Sequence, residues 1–289
     1  MKEFEGKTAV VTGGASGIGR AMANRFAEAR MQVVLADIEE EALEKAVGEL
    51  KERQVNVLGV VTNTMRRESV NELLEKSVSE FGNIHILCNN AGVFARTETR
   101  AVWELDAADW EWVMGVNFWG VLYGVQAYVP HMLEHGEPAH IVNTASVAGL
   151  TPGGGPYGVS KHAVLALTEG LYRQLRERDA NVGASVLCPG LVQTQIFAAE
   201  RNRPDDLATQ ASQASAVPSA LGAMLERGKP PEEIAEIVFA AIERDDLYIL
   251  PHPAWDEMVR LRVEKILERH EPMNLRFDQL PPRDDGERY

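Results

Sequence analysis

The stretch Thr12-Gly13-Gly14-Ala15-Ser16-Gly17-Ile18-Gly19 decides the fold, because an apolar strand pattern runs into it and a helical pattern runs out of it. Glycines at positions 13, 17 and 19 let the backbone turn sharply and approach a pyrophosphate with no Cβ in the way. The helix that follows offers free N–H groups and the positive end of its dipole. No Gly-Lys-Ser/Thr follows, so the stretch is not a Walker loop. It predicts a dinucleotide site rather than a flexible turn.

Seven short β-rich runs alternate with amphipathic helical patterns along the chain. Each run holds Val, Ile or Leu at consecutive positions, as strands buried on both faces of a parallel sheet do. The alternation predicts one Rossmann-like, doubly wound α/β domain over residues 1–289, with a seven-stranded parallel sheet flanked by helices. The predicted strands are Thr8–Thr12, Gln32–Ala36, Asn56–Val61, Ile84–Asn89, His140–Thr144, Gly183–Cys188 and Asp246–Pro251. The predicted helices are Ala21–Ala27, Glu39–Arg53, Met65–Phe81, Ala107–Glu134, Tyr157–Arg178 and Pro231–Arg244.

Two segments depart from this alternation. Residues 195–229 are rich in Ala, Ser, Gln and Met and separate the last two strands, so we interpret them as a substrate lid. Residues 271–289 carry three prolines and many charges, which is typical of a C-terminal tail that is mobile in part.

The composition excludes several classes of protein. The formal net charge is −14, from 29 basic and 43 acidic residues, whereas nucleic-acid-binding proteins carry basic surfaces. Anionic lipid would repel a protein with this charge. No apolar run reaches the roughly 18 residues that span a bilayer. The charged N-terminus is unlike a signal peptide, and two cysteines are too few for a disulfide framework. We expect a cytoplasmic enzyme that binds neither nucleic acid nor membrane.

An acid follows the second predicted strand, at Asp37, eighteen residues after Gly19. A carboxylate there accepts hydrogen bonds from the adenosine ribose hydroxyls and repels a 2′-phosphate. Three glutamates follow at positions 39–41, and position 16 is Ser rather than Arg or Lys. The sequence therefore predicts NAD in preference to NADP. The alternative is that Asp37 only caps the next helix.

A pair of side chains with acid–base potential lies on a later helical pattern. Tyr157 and Lys161 are four residues apart, which places them on one face of a helix. A nearby ammonium favours phenolate and lowers the pKa of the tyrosine, which can then exchange a proton with an alcohol or carbonyl. Ser146, eleven residues before Tyr157, directly follows the fifth strand and can hold the same substrate oxygen.

These motifs together resemble the short-chain dehydrogenase/reductases in their shorter soluble form, from about residue 7 to residue 251. The resemblance implies an oxidoreductase that interconverts a secondary alcohol and a ketone with NAD. The matching pieces are Thr12–Gly19, Asn89-Asn90-Ala91-Gly92, Asn117, Ser146, Tyr157 with Lys161, and Cys188-Pro189-Gly190-Leu191-Val192-Gln193-Thr194.

The resemblance also implies roles for four catalytic residues. Tyr157 would exchange the proton with the substrate oxygen, and Ser146 would hydrogen-bond that oxygen. Lys161 would bind the nicotinamide ribose and lower the pKa of Tyr157. Asn117 would interrupt its helix and position a water that joins Lys161 to bulk solvent.

The predicted binding residues surround these four. Val192 and Thr194 would bind the carboxamide of the nicotinamide. The predicted cofactor site comprises Gly13, Ser16, Gly17, Ile18, Gly19, Asp37, Asn63, Thr64, Asn90, Ala91, Gly92, Tyr157, Lys161, Pro189, Gly190, Val192 and Thr194. The predicted substrate wall for a small hydrophobic alcohol or ketone comprises Phe94, Ser146, Val147, Leu191 and Phe197.

Two departures from the family pattern concern the binding sites. Asn63 stands at the end of the third strand, where the family usually has Asp bonded to the adenine, so we expect an altered adenine contact. The interval from Ser146 to Tyr157 is a couple of residues shorter than usual in the family. This shortening affects the loop 151–156, and we expect it to change the shape of the substrate pocket.

Other interpretations remain open from the sequence. His131, Glu134 and His135 match an H-x-x-E-H zinc-protease pattern, but they lie at a predicted helix end, where histidines favour the dipole, and no metal site is predicted. A non-catalytic NAD-binding sensor on the same fold is the main alternative function. Epimerase or dehydratase chemistry is another, although relatives of that kind tend to have a larger C-terminal domain. The apolar surfaces of helices 107–134 and 157–178 favour a homotetramer or a homodimer.

Overall fold

A parallel sheet forms the centre of the computed structural model, which describes residues 1–95, 97, 100–209 and 224–273. Its seven strands lie in the order β3-β2-β1-β4-β5-β6-β7, and all their pairings are parallel. This confirms the predicted fold class. The strands are β1 (Thr8–Thr12), β2 (Gln32–Asp37), β3 (Val57–Val61), β4 (Ile86–Asn89), β5 (Ala139–Thr144), β6 (Val182–Leu187) and β7 (Tyr248–Ile249).

Helices cover both faces of the sheet. On one face, Val11 packs in a core with Phe26 and with residues of the helix that precedes β7. On the other face, Val10 packs in a second core with Tyr128. Successive strand residues therefore face opposite helical layers, as a doubly wound sheet requires. The described α-helices are α1 (Gly17–Glu28), α2 (Glu40–Glu52), α3 (Arg67–Phe81), α4 (Ala107–Met114), α5 (Gly120–His135), α6 (Pro156–Glu177), α7 (Pro231–Arg244) and α8 (Asp256–Glu268).

The helix predicted over 107–134 runs without a break from Ala107 to His135, with one change of helical type inside it. A π-helical turn, Gly115–Trp119, separates α4 from α5. The side chain of Asn117, in the middle of this turn, binds the backbone of Val93. That contact widens the helix where the chain approaches the end of β4.

The two edge strands also differ from their predictions. β7 is only the pair Tyr248–Ile249, shorter than the predicted Asp246–Pro251, and it pairs with β6 at two positions. β3, at the opposite edge, leaves Gly59 and Val61 exposed and is not buried on both faces.

The helix α8 has no counterpart among the predicted helices. Its first turn holds Asp256 and Glu257, which favour a helix N-terminus. Met258 is the buried residue of α8, and it packs beside Trp255. The buried face is too narrow to produce a clear apolar period, so the sequence signal is weak.

The predicted lid and tail lie only partly within the described residues. The lid contains two 3₁₀ helices, Ile196–Asn202 and Asp205–Leu207, and residues 210–223 lie outside the described part. The predicted tail lies outside it beyond residue 273. The extension of one domain over 1–289 therefore stays a prediction. Within the described ranges, no helix combines the length and the apolar character that crossing a bilayer demands.

Candidate active site

A cavity of about 500 Å³ opens at the carboxyl ends of the strands. It extends from Asp37, at the end of β2, to Trp255, after β7. The chain leaves β3 at one edge and returns at β4 beside β1, which makes this region the topological switch point of the sheet. Ligands of doubly wound folds bind at such a point.

The structure brings nearly all of the predicted site residues to this one cavity. Gly19 and Asn117 are the two that do not line it. The predicted residues that do line it are Gly13, Ser16, Gly17, Ile18, Asp37, Asn63, Thr64, Asn90, Ala91, Gly92, Phe94, Ser146, Val147, Tyr157, Lys161, Pro189, Gly190, Leu191, Val192, Thr194 and Phe197.

The glycine-rich turn has the geometry that a dinucleotide needs. Gly13 and Gly17 have φ values of +64° and +53°, which L side chains rarely adopt. A Cβ on Gly19 would lie 2.1 Å from the carbonyl oxygen of Gly13, so Gly19 permits the turn to pack against α1. The N-terminus of α1 therefore faces the cavity with its backbone close to the surface. These residues fit a bound nicotinamide dinucleotide.

Thr12 joins this turn to the end of β4. Its Oγ1 accepts hydrogen bonds from the backbone N–H groups of Asn90 (2.9 Å) and Ala91 (3.1 Å). The same hydroxyl donates to the carbonyl oxygen of Cys88 at 3.3 Å. Thr12 is thus a positioning residue whose hydroxyl fixes the two loops on either side of the switch point.

Asp37 occupies the position expected of a ribose-binding acid. Its Oδ2 accepts a hydrogen bond from the N–H of Ala15 at 3.0 Å, and its Oδ1 accepts one from the N–H of Glu39 at 3.1 Å. Helix α2 begins at Glu40 with Glu39 as its N-cap, so the interpretation of Asp37 as a helix cap is wrong. Partial burial raises the pKa of the Asp37 carboxyl, and the two backbone bonds oppose that rise.

Asn63 lies beyond β3 on the wall of the same cavity. Its Oδ1 accepts a hydrogen bond from the N–H of Met65 at 3.0 Å, and its own N–H donates to Ser69 Oγ at 3.1 Å. The side chain therefore uses one acceptor site locally. The expected change in the adenine contact stays a prediction.

Ser146, Tyr157 and Lys161 meet at the other end of the cavity. Ser146 follows β5, and its Oγ accepts a hydrogen bond from the N–H of Ala148 at 3.1 Å. Tyr157 lies in the first turn of α6, and Lys161 lies one turn later. The Nζ of Lys161 donates to the carbonyl oxygen of Thr144 at 3.0 Å and lies 5.5 Å from the centroid of the Tyr157 ring.

Burial dominates the electrostatics of these groups. Burial raises the pKa of Tyr157 to about 12, and a hydrogen bond with Ser146 opposes that rise. Burial lowers the pKa of Lys161 to about 8. Of the described residues, Ser146 is the one that favours the phenolate, and the expectation that Lys161 lowers the pKa of Tyr157 stays a prediction. Lys161 donates a hydrogen bond to the carbonyl oxygen of Thr144, and desolvation disfavours the protonated, charged form of its amine.

Asn117 lies behind the cavity wall rather than on it. It is fully buried, its Oδ1 accepts from the N–H of Val93 at 2.8 Å, and its Nδ2 donates to the Val93 carbonyl at 3.0 Å and to Ser160 Oγ at 3.2 Å. A Cβ on Gly92 would lie 3.5 Å from both Asn117 Oδ1 and Lys161 Nζ. Gly92 therefore keeps a gap open between those two polar groups.

The 3₁₀ helix Ile196–Asn202, called the strap below, contacts both ends of the cavity. Phe197 packs edge-on against Phe94 with ring centroids 4.9 Å apart, and the Phe94 ring lies 5.0 Å from that of Tyr157. At the other end, Arg201 forms an ion pair with Glu39. Asn202 donates to the same carboxylate at 2.8 Å.

Sequence reasoning missed several residues of this cavity. Arg201 and Asn202 escape it because their contacts with Glu39 join positions more than 160 residues apart. Trp255 could have been found, since it follows the last strand and the carboxyl ends of parallel strands share one edge of a sheet. Its indole Nε1 is buried, and no group within the described part of the chain forms a hydrogen bond with it.

The histidines of the H-x-x-E-H pattern bind the backbone at the start of the β4 region. His131 Nε2 accepts a hydrogen bond from the N–H of Ile84 at 3.1 Å. His135 Nε2 lies 3.0 Å from the carbonyl oxygen of the same residue. The two histidines therefore hold the loop at Ile84, which precedes β4, and do not bind the last carbonyl oxygens of their own helix. The described residues contain no cluster of three or more potential metal ligands.

Comparison with known proteins agrees with this geometry. The family model described as short chain dehydrogenase matches residues 7–205. The chain belongs to the short-chain dehydrogenase/reductase family. The sequence resemblance is thereby confirmed, and the protein is an oxidoreductase of the kind that acts on CH–OH groups.

Three relatives show how far the similarity extends. A short-chain dehydrogenase/reductase from Burkholderia phymatum, solved in complex with NAD, is 44% identical with a TM-score of 0.88, over 96% of this chain and 99% of that one. The CLA biosynthesis dehydrogenase/reductase of Lactiplantibacillus plantarum is 33% identical over 92% of this chain and 95% of its own length. The 1-deoxy-11-beta-hydroxypentalenate dehydrogenase of Streptomyces exfoliatus is 35% identical over 89% of this chain and 86% of its own.

Proposed function

We propose that this protein is an NAD-dependent oxidoreductase that interconverts a secondary alcohol and a ketone, with Tyr157 as the general acid/base. The observation that carries the proposal is that Ser146, Tyr157 and Lys161 line the same cavity as the glycine-rich turn and Asp37. The NAD bound to the Burkholderia phymatum relative and the dehydrogenase activity named for the other two support it.

The protein's residues handle the proton of the reaction. The nicotinamide ring, when bound, supplies or accepts the hydride. In the oxidation direction, the substrate hydroxyl gives its proton to Tyr157 in its deprotonated form, the carbon-bound hydrogen would leave with its electron pair for the nicotinamide, and the C–O bond becomes a carbonyl. In reduction, Tyr157 returns that proton. Ser146 donates a hydrogen bond to the substrate oxygen and keeps the phenol group oriented toward it.

A route for the proton to solvent follows from the packing behind the site. Lys161 would bind the hydroxyls of the nicotinamide ribose and pass a proton from the side of Tyr157 toward solvent. The gap beside Gly92 is placed to hold a water between Lys161 Nζ and Asn117 Oδ1. Asn117 is kept in place by its three hydrogen bonds to Val93 and Ser160. We assign it a positioning role in this relay.

The charges around Asp37 support NAD over NADP. The carboxylate of Asp37 would repel a 2′-phosphate, and Ser16 offers no positive charge to bind one. Arg201 is the cation that reaches this end of the cavity, and its charge is matched by Glu39. A 2′-phosphate would therefore meet a carboxylate with no free guanidinium beside it.

The substrate end of the cavity supports a hydrophobic alcohol or ketone. Val147, Leu191 and Trp255 form a buried apolar cluster there, and Phe197 packs against it. Phe94 completes the wall beside Tyr157. A polar substrate would lose its hydration in such a pocket without compensating hydrogen bonds.

We also propose a cytoplasmic homo-oligomer, a tetramer in preference to a dimer. Trp119 and Leu133 remain 44% and 40% exposed at the start and end of α5. Apolar side chains at these places are suited to pairing with a second copy. Light scattering that gave a monomer mass would contradict this part of the proposal.

The decisive experiment follows nicotinamide absorbance while the protein is mixed with NAD and a panel of secondary alcohols. Tyr157→Phe provides the matched control, because it removes only the phenol oxygen. Turnover that falls by about 100-fold or more in this variant would support the proposal, since general acid–base catalysis contributes roughly 10²–10⁴-fold. Tight NADH binding with no turnover across the panel would favour the non-catalytic sensor instead.

A further inference from the structure

A second cavity, of about 400 Å³, lies on the far side of the loop 151–155 from Tyr157. We call it the basic pocket, because Arg262 and Lys265 of α8 line it together with His162 of α6 and His270. No acidic side chain of the described residues lines it. This is an unusual composition in a protein whose formal net charge is −14.

Arg262 keeps most of its hydrogen-bonding capacity available. One guanidinium nitrogen donates to the carbonyl oxygen of Leu150 at 3.2 Å. No carboxylate of the described residues forms an ion pair with it, whereas Arg260 on the same helix pairs with both Glu257 and Glu264. A guanidinium has five N–H donors and is always protonated, so a half-buried one favours an oxyanion beside it.

Lys265 adds a second charge with only one weak partner. Its Nζ lies 3.3 Å from Glu268 Oε2, and both side chains are substantially exposed. Exposed pairs of this kind contribute little, because water and salt screen them. An anion in the basic pocket would therefore not have to displace a strong internal bond.

The basic pocket and the active-site cavity share a wall. Pro152 lines both cavities. Met273 lines the basic pocket and also packs against the apolar cluster that contains Leu191 and Trp255. His162 follows Tyr157 by five residues, or about 7.5 Å along the axis of α6. The loop that carries Pro152 therefore separates the two cavities, and a molecule bound at Tyr157 would have to cross this loop to reach the basic pocket.

We propose that the basic pocket binds the carboxylate end of an amphipathic substrate whose alcohol or ketone carbon lies at Tyr157. The substrate class is then an apolar hydroxy acid or keto acid. The apolar side chains Val159 and Ile266, which are 38% and 59% exposed at this pocket, would contact the chain next to the carboxylate. This inference rests on the proposed alcohol dehydrogenase function.

The first test compares pairs of substrates that differ only in charge. Apolar secondary hydroxy acids of increasing chain length are compared with their methyl esters, in the wild type and in the variant Arg262→Gln/Lys265→Gln. Gln at position 262 retains a donor for Leu150. We expect kcat/KM for the acids to fall by about tenfold or more and that for the esters by less than about twofold. Arg260→Gln, on the same helix, is the control and should change neither value.

The second test measures binding without turnover, so that failure of the proposed function can be told apart from failure of this inference. The heat of binding of alkanoates, the matching alkanols and inorganic phosphate is measured with the NADH-loaded wild type and double variant. Tighter binding of alkanoate than alkanol, lost in the double variant, would support the basic pocket even if no alcohol is oxidised.

Two results would overturn the inference. Equal losses for acids and esters in the double variant would show that α8 acts only through the shape of the substrate wall. Phosphate that binds as tightly as alkanoate, together with no kinetic preference for acids, would make the basic pocket a site for a free anion rather than for the substrate.

Discussion

Replacing Asp37 by Asn tests the proposed cofactor preference most directly. The substitution keeps the size of the side chain and one acceptor oxygen but removes the charge. In the wild type, the Asp37 carboxylate accepts hydrogen bonds from the backbone N–H groups of Ala15 and Glu39. It also lines the cavity and has further lone pairs that can accept hydrogen bonds from a ligand. We expect the variant to lose activity with NAD and gain activity with NADP.

The magnitude follows from two effects of the same charge. Loss of a hydrogen bond to an ionised group costs about 2 kcal/mol of transition-state stabilisation with NAD. Removal of a carboxylate about 4 Å from a 2′-phosphate relieves at least about 1 kcal/mol of repulsion with NADP. The two add in the ratio of specificity constants, so selectivity for NAD should fall by about 100-fold, since 1.4 kcal/mol corresponds to tenfold.

The assay is the ratio of kcat/KM for NAD to kcat/KM for NADP, measured with one alcohol at fixed ionic strength. Glu41→Gln is the matched control. Glu41 lies exposed in the first turn of α2, close to Asp37 in the sequence, and the substitution removes one negative charge, as Asp37→Asn does. It should change the ratio by less than about twofold. A thermal unfolding curve checks that Asp37→Asn has not loosened the glycine-rich turn. An unchanged ratio in a folded Asp37→Asn variant would refute the reasoning.

Three further predictions follow from other contacts. Gly92→Ala would fill the gap between Lys161 and Asn117, so we expect kcat to fall by about tenfold or more with cofactor binding nearly unchanged, and a variant with normal kcat would exclude a relay at this point. Arg201→Gln breaks the bond to Glu39 and should raise the dissociation constant of NADH by about threefold to tenfold in a fluorescence titration, with high salt reducing the difference. Burial lowers the pKa of His140 to about 4, below the ordinary 6.5, so the unfolded chain takes up the proton first as pH falls. The free energy of unfolding in urea should therefore drop by about 2 kcal/mol from pH 7 to pH 5, and His140→Gln should show a smaller drop.

Local signals were sufficient for the sheet and for most of the cavity. The glycine-rich turn, Asp37 and the pair Tyr157 and Lys161 each depend on short spacings within one element, and a parallel sheet then places all strand ends at one edge. That rule alone brings Asp37 and Ser146 to the same cavity although they are more than 100 residues apart.

Features that depend on tertiary packing were missed. The family resemblance implied an interruption of the helix at Asn117 but not its form. The side chain of Asn117 binds the backbone of Val93 from within a π-helical turn, and no spacing within the helix signals that contact. The pKa of Tyr157 depends on how deeply the ring is buried and on its hydrogen bond with Ser146, and the spacing of Tyr157 and Lys161 in the sequence reveals neither. α8 was missed because its single buried residue, Met258, leaves no period to detect.

The strap links two binding events that occur at opposite ends of the cavity. Its Phe197 contacts the aromatic group that covers Tyr157, and its Arg201 is bound to Glu39 beside Asp37, only four residues further along one short helix. A ligand that shifts either contact must therefore change the free energy of the other. By thermodynamic linkage, the factor by which cofactor alters substrate affinity equals the factor by which substrate alters cofactor affinity. We expect the two ligands to bind cooperatively, each changing the affinity of the other by the same factor.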